Sequence, residues 1–445
     1  MSIGRSTRIR VYGALAGLAT VLACAPRERP APAAEAPPPP AVERRPPVPV
    51  DRGVPSEPAP REPVQTGVDV LRTDGPGPLR GLRVGLVTNH TGADRNGRST
   101  IDVLASLPDV RLVALFGPEH GIRGVADAGE RVADGRDDRS GLPVYSLHDE
   151  TKAPTAAEMA ELDAIVFDMQ DVGARFYTYV WTMVMAMQAA TRAHKLFVVL
   201  DRPNPITGAL LQGNVAVGPP SLLGMFPVPT RHGMTPGEIA RMADDRLGIG
   251  ASLVVVPMTG WRRDAWYDDT ALPWIPPSPN MPSLTSALHY PGTCLFEMTS
   301  LAVGRGGPTP FQQIGAPWLD HVELARRLNA LDLPGVRFDT TTFAAVNPQQ
   351  QSHLGERDPA TRRGVRFIAT DRATYDPTRA AIHALVEVRR MHPDRLRFSE
   401  NFDLLAGTVR VRELVEADAS AEQIMEDWDA QLVEFARQRQ RYLLY

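Results

Sequence analysis

Residues 110–124 read VRLVALFGPEHGIRG. The first half, Leu112 to Phe116, is a continuous apolar run, the pattern of a strand buried on both faces. It stops at Gly117-Pro118, which a central strand cannot continue. Glu119 and His120 follow, and Gly121 and Gly124 bracket Arg123. A carboxylate, an imidazole and a guanidinium thus stand at the carboxyl end of a buried strand, in a turn whose glycines let backbone approach a ligand closely. In open α/β sheets that edge is where ligands bind.

The same pattern recurs along the chain. Leu82–Asn89 is an apolar run ending in Asn89-His90-Thr91-Gly92, and Ala164–Phe167 ends in Asp168-Met169-Gln170-Asp171. Leu196–Leu200 ends in Asp201-Arg202-Pro203-Asn204, and Leu253–Pro257 is a further strand. Between them, spacing predicts helices over Ser99–Leu107, Pro154–Leu162 and Tyr177–Ala193. Thr235-Pro236-Gly237-Glu238 opens another, with a capping Thr, Pro in the first turn and Glu completing the capping box. Strands alternating with helices predict an α/β fold with a mostly parallel sheet. Four strand ends then carry polar clusters on one edge. Burying so many charges is costly unless they pair or face a ligand.

After Trp261 the texture changes. Residues 261–282 are aromatic and Pro-rich without period, which predicts a long ordered loop. Its Trp266, Tyr267 and Trp274 fit either sugar-stacking platforms or packing at a domain boundary. A second, smaller α+β domain is expected from near Leu288 to the end, closing on a helix at Ala421–Arg437. The expected division is therefore residues 66–286 for the parallel-sheet domain and 287–445 for the C-terminal one.

The amino terminus is of another kind. Arg5, Arg8 and Arg10 precede a short apolar stretch, Val11–Ala23, too short to span a bilayer stably. Val21-Leu22-Ala23-Cys24 resembles a bacterial lipobox, which implies a signal peptide over residues 1–23 and a lipid on Cys24. Residues 24–65 hold much of the chain's proline and cannot bury enough apolar surface to fold. Such a segment favours extended polyproline II and reaches on the order of 100 Å. The expected location is the bacterial cell envelope, lipid-anchored, on the periplasmic or outer-membrane side.

The 445 residues carry a net charge of −4, and no basic stripe suggests a nucleic-acid partner. With only two cysteines, a four-cysteine zinc site is excluded. Cys294 reads as a small buried apolar residue. No GxGxxG follows the first strand, and neither a P-loop nor a GxSxG elbow is present. His90, His120, Asp168, Asp171 and His232 could in principle hold a metal, yet their spacings match no strong zinc pattern, and none is expected. A Rossmann-like hydrolase working with carboxylates fits the inventory better.

The runs VGLVTNHTG, LFGPEHGIRG, FDMQDVGARFYTY, DRPNPI, RHGMTPGE, PSPNMP and YPGTCLFE, in that order, resemble the exo-β-N-acetylmuramidase (NamZ) family of peptidoglycan hexosaminidases. The resemblance covers everything after the Pro-rich segment. It implies a Rossmann-like catalytic domain and a smaller C-terminal one, no organic cofactor, and release of N-acetylmuramic acid from the non-reducing ends of peptidoglycan-derived glycans. It also implies that Glu119 is the catalytic acid/base. A partly desolvated Glu in that turn would keep its proton near neutral pH and give it to the leaving oxygen, with His120 orienting it.

Glycosidases usually need a second carboxylate. Asp168 and Asp171 are preferred over Glu297, because they end a neighbouring strand; the substrate's own 2-acetamido group is the other route. The lactyl carboxylate of a muramic sugar calls for a cation, with Arg123, Arg175, Arg202, Arg231 and Arg305 as candidates. Asn89, His90, Asp201, Asn204, His232 and Asn280 are candidate partners for sugar hydroxyls or the amide. Two rival readings remain: a wall-binding lipoprotein without catalysis, and a metal-dependent hydrolase.

Overall fold

The computed structural model describes residues 63–118, 121–123, 134–147, 152–344 and 361–445. The expected signal peptide, lipidated Cys24 and Pro-rich segment up to residue 62 lie outside the described residues, as do Glu119 and His120. In chain order the first nine strands are β1 (Arg83–Thr88), β2 (Arg111–Gly117), β3 (Gly135–Arg136), β4 (Pro143–Ser146), β5 (Ala164–Asp168), β6 (Leu196–Leu200), β7 (Gln212–Val215), β8 (Pro229–Arg231) and β9 (Leu253–Val256). Seven of them form one sheet in the order β3-β4-β2-β1-β5-β6-β9, parallel throughout except for the short β3. Without β3, this is the doubly wound order, which reverses direction between β1 and β5.

The apolar runs are continuous because both faces of the sheet are covered. Leu86, Leu115, Val166 and Val198 point to one side, with the helices Gly67–Asp74 and Thr100–Ser106. Val87, Phe116, Ile165, Phe167, Phe197 and Val199 point to the other, with Tyr179–Arg192 and Pro236–Arg246. The Thr235 capping box forms as expected, with Glu238 reaching back to its backbone. The Gly67–Asp74 helix was not legible in the sequence. It sits so close to the sheet that a Cβ on Gly67 would lie 2.6 Å from the Asp201 nitrogen. Val64 and Gln65, at the end of the Pro-rich stretch, already pack on the fold: Val64 is buried and Gln65 bridges Thr259.

Two helix expectations are corrected. Pro154–Leu162 is a series of turns, because its hydrogen bonds switch between i→i−4 (Met159 to Thr155) and i→i−3 (Ala160 to Ala157) and never propagate. The last helix is broken into Ala421–Ile424 and Trp428–Arg439. The first piece packs on the helices Pro377–Met391 and Arg410–Glu416 and the second on β7, so one straight axis could not serve both.

The C-terminal part carries an antiparallel sheet of β10 (Gln313–Ala316), β11 (Val336–Phe343) and β12 (Arg362–Ala369), in the order β10-β12-β11, with helices against it. One hydrophobic cluster runs from the parallel sheet through Phe176 and Tyr290 into this part. The chain end returns to the first sheet, where the Tyr445 hydroxyl donates to Asp201 and accepts from the Met258 N–H.

Candidate active site

Because β1, β2, β5 and β6 are parallel, their polar carboxyl ends share one edge, and the β1/β5 pair is the point where strand order reverses. At the end of β1, the Asn89 Oδ1 accepts from the Thr91 N–H (2.9 Å) and hydroxyl (2.6 Å), which fixes the turn. His90 donates from Nε2 to the Pro276 carbonyl at 2.7 Å. Tyr179 donates likewise to the Pro277 carbonyl at 2.7 Å. The 261–282 loop is therefore laid over the switch point and pinned from below.

After β2 the chain turns at Gly121, with φ of 70°. Arg123 follows, and its guanidinium is taken by Asp137, with Nε–Oδ1 at 3.0 Å. Asp137 also accepts from the Ser140 N–H and hydroxyl, so this pair belongs to the outer β3/β4 edge.

At β5 two carboxyls have opposite fates. Asp168 is fully buried; Arg202 holds it through Nε–Oδ1 (2.5 Å) and Nη2–Oδ2 (2.8 Å), and the Thr100 hydroxyl donates to Oδ2. Asp171 is also buried, but only its Oδ1 has a partner, the Gly173 N–H at 2.9 Å. Its Oδ2 makes no hydrogen bond among the described residues. Burial without a cation pushes the Asp171 carboxyl up to about 7, against the pull of the Gly173 and Val172 amides. Such a group can hold or release a proton at neutral pH.

The end of β6 is mostly architecture. Asp201 accepts from the Thr235 hydroxyl (2.8 Å) and the Gly237 N–H (2.8 Å), and burial raises it to about 7 as well. Asn204 donates to the Met234 carbonyl at 3.0 Å and packs against Gly173. His232 accepts the Met234 N–H at Nδ1, so the proton of the neutral ring sits on Nε2, which is buried and has no partner among the described residues. Burial, with Arg439 nearby, lowers this imidazole to about 3.

The arginines separate by what already holds them. Arg175 and Arg231 are buried, and neither has a carboxylate partner among the described residues. Arg175 donates to the carbonyls of Leu223, Leu405 and Ala406, and burial lowers it to about 10. Arg231 is held by Gln212 and the Ile206 carbonyl, and burial lowers it to about 9. Arg305 grips Glu297, and Asn280 accepts the N–H of the adjoining Gly306 at 2.8 Å. Cys294 is buried and free, as its apolar reading required.

The aromatic loop serves packing. Trp266 is buried, with the Arg231 guanidinium 5.1 Å and that of Arg372 4.7 Å from its ring centre, and Tyr267 meets Trp274 edge-on. The sequence reading missed Tyr177 and Tyr290. Their edge-to-face contact at 5.8 Å joins the Asp171 loop to the C-terminal part. The helix begins only at Tyr179, which leaves Tyr177 in the loop after β5; two aromatics just before an apolar helix were the available signal. Among the described residues no group of three or more His, Cys, Asp or Glu side chains could hold a metal ion.

Family models for the two parts of the exo-β-N-acetylmuramidase NamZ match residues 84–285 and 288–445. The chain is 40% identical over 397 residues to a Bacillus subtilis protein named peptidoglycan β-N-acetylmuramidase NamZ, covering 88% of this chain and 93% of that one. Two crystal structures of DUF1343 family proteins from Bacteroides fragilis superpose with TM-scores of 0.79 and 0.66, at 37% and 29% identity. They cover 87% and 86% of this chain and 100% and 99% of their own. On this agreement in sequence over both parts and in fold, the chain belongs to the exo-β-N-acetylmuramidase NamZ family.

Proposed function

We propose that this glycoside hydrolase acts on peptidoglycan fragments from their non-reducing ends and releases N-acetylmuramic acid, with Glu119 as general acid/base. The bond broken is the glycosidic C1–O bond; Glu119 protonates the leaving oxygen, and water supplies the new hydroxyl. The observation that carries this reading is the 40% identity, over nearly the whole of both chains, to a relative named for that activity. The sequence position supports it: Glu119 comes two residues after Gly117, the last residue of β2, and β2 pairs with β1, one of the two strands at the switch point.

Asp171 is the second carboxyl in this reading. Asp168 has both oxygens engaged by Arg202 and Thr100, whereas Asp171 keeps one oxygen unpartnered and an affinity for protons near neutrality. Cys24 carries the lipid, and the Pro-rich segment spaces the enzyme from the membrane toward the wall.

The test uses chromogenic β-glycosides of N-acetylmuramic acid and of N-acetylglucosamine, on wild type and Glu119→Gln. The muramic substrate should be cleaved by wild type, and the variant should lose about 10²–10⁴-fold in rate. A wild type inert toward the muramic glycoside overturns the substrate; a Glu119→Gln enzyme that keeps its rate overturns the acid/base.

A further inference from the structure

We propose that Arg305 is the specificity residue that reads the lactyl carboxylate of the muramic sugar, held in position by Glu297; this assignment rests on the muramidase reading above. N-acetylmuramic acid differs from N-acetylglucosamine by that one carboxylate. An enzyme selective for it needs a cation with uncommitted donors beside the site.

The interior arginines do not qualify. Arg202 is committed to Asp168 and the Ala93 carbonyl, with its side chain 5% exposed. Arg175 and Arg231 are sealed in: their Nη groups go to carbonyls and Gln212, and their Nε atoms, though without a partner among the described residues, are buried out of a ligand's reach. Arg305 differs on both counts. Its side chain is 20% exposed, and Glu297 takes only Nε and Nη2. A guanidinium has more than one donor edge. The edge formed by Nη1 and the second hydrogen of Nη2 has no partner among the described residues, and its shape fits a carboxylate in two parallel hydrogen bonds.

The placement also fits. Gly306 is bonded to Asn280, on the loop that His90 and Tyr179 hold over the switch point through Pro276 and Pro277. Gly304 and Gly306 both have positive φ, 75° and 73°, so the turn presents Arg305 in a backbone geometry that other residues resist. The ring of Phe311 lies 5.4 Å from the guanidinium and limits its swing. Arg123 is comparably exposed, but Asp137 draws it to the β3/β4 edge, away from the β1/β5 switch point.

The experiment compares wild type, Arg305→Ala, Arg305→Lys and Arg123→Ala on three chromogenic β-glycosides: N-acetylmuramic acid, its lactyl methyl amide, and N-acetylglucosamine. Wild type should prefer the acid to the amide. Arg305→Ala should lose about 10- to 100-fold of that preference, read as the ratio of acid to amide within the one variant and mainly through KM for the acid. Arg305→Lys, which keeps a charge beside Glu297 and so guards against misfolding, should retain only part of it. Calorimetric binding of free N-acetylmuramic acid and N-acetylglucosamine needs no turnover. A wild type that cleaves nothing but binds N-acetylmuramic acid more tightly than Arg305→Ala does would sink the muramidase reading and leave the Arg305 assignment standing. A folded Arg305→Ala or Arg305→Lys with undiminished preference and binding, or loss of preference in Arg123→Ala instead, overturns the assignment.

Discussion

Arg202 and Asp168 form a buried two-point pair at the carboxyl edge of the parallel sheet, with the Nε–Oδ1 and Nη2–Oδ2 distances at 2.5 and 2.8 Å. The pair ties the ends of β5 and β6 together, and through the Ala93 carbonyl it ties in the loop after β1. Breaking it from one side leaves a buried charge uncompensated. Arg202→Met or Asp168→Asn alone should each cost about 3–5 kcal/mol in urea unfolding. The double variant should cost less than the sum of the two, because neither charge is then stranded. Additive losses would show that the pair is not the unit described.

Asp171 makes stability depend on pH with a definite sign. Its carboxyl binds a proton more tightly in the folded state, about 7, than its ordinary value of 3.8. The folded protein therefore holds more protons between those values, and this contribution to stability is full below pH 4 and lost as pH rises through 7. Asp171→Asn removes the loss. Its stability relative to wild type should rise across that window by on the order of 1 kcal/mol per pH unit. His232 and His289, both lowered by burial to about 3, act in the opposite sense as pH falls below 6.5, so the difference between variant and wild type is the quantity to measure. A pH-independent difference would contradict the raised carboxyl.

Gly173 stands between Asp171 and Asn204. It has φ of 84°, and a Cβ there would lie 2.4 Å from the Asn204 Oδ1. Gly173→Ala should destabilise by about 1–3 kcal/mol and lower activity as well, because the Gly173 N–H is the donor that holds Asp171. Denaturation midpoints and rates on the muramic glycoside check both effects.

The chain terminus is a structural clasp. The Tyr445 hydroxyl links Asp201 to the Met258 N–H, at 2.9 and 2.7 Å. Tyr445→Phe should lower stability by about 1–3 kcal/mol, since it strips partners from groups that stay buried. An unchanged urea midpoint would remove the clasp.

Strands β1, β2, β5, β6 and β9 were legible because each is a contiguous apolar run; β3 and β4, two and four residues long and without such a run, were not. The Thr235 helix start was equally plain, since a capping box occupies four consecutive residues. Pro154–Leu162 misled because apolar spacing alone does not guarantee a sustained i→i−4 ladder, and Ala421–Arg437 because two packing partners lay on different axes. In the site, the polar strand ends were legible as a set, but their roles were not: Asp168 and Asp171 look alike in sequence, and Trp266 looks as fit for a sugar as for Arg231 and Arg372.

By itself the sequence determined what neighbours in the chain decide: strands buried on both faces, helix caps, the polar ends that parallel strands must gather on one edge, and the motifs that mark the family. Tertiary structure alone decided which charge meets which. Arg202 reaches Asp168 across 34 positions and Tyr445 reaches Asp201 across 244. In a desolvated interior each carboxyl takes whichever donor the fold brings within about 3 Å, and those left without a cation, Asp171 and Asp201, hold a proton more tightly.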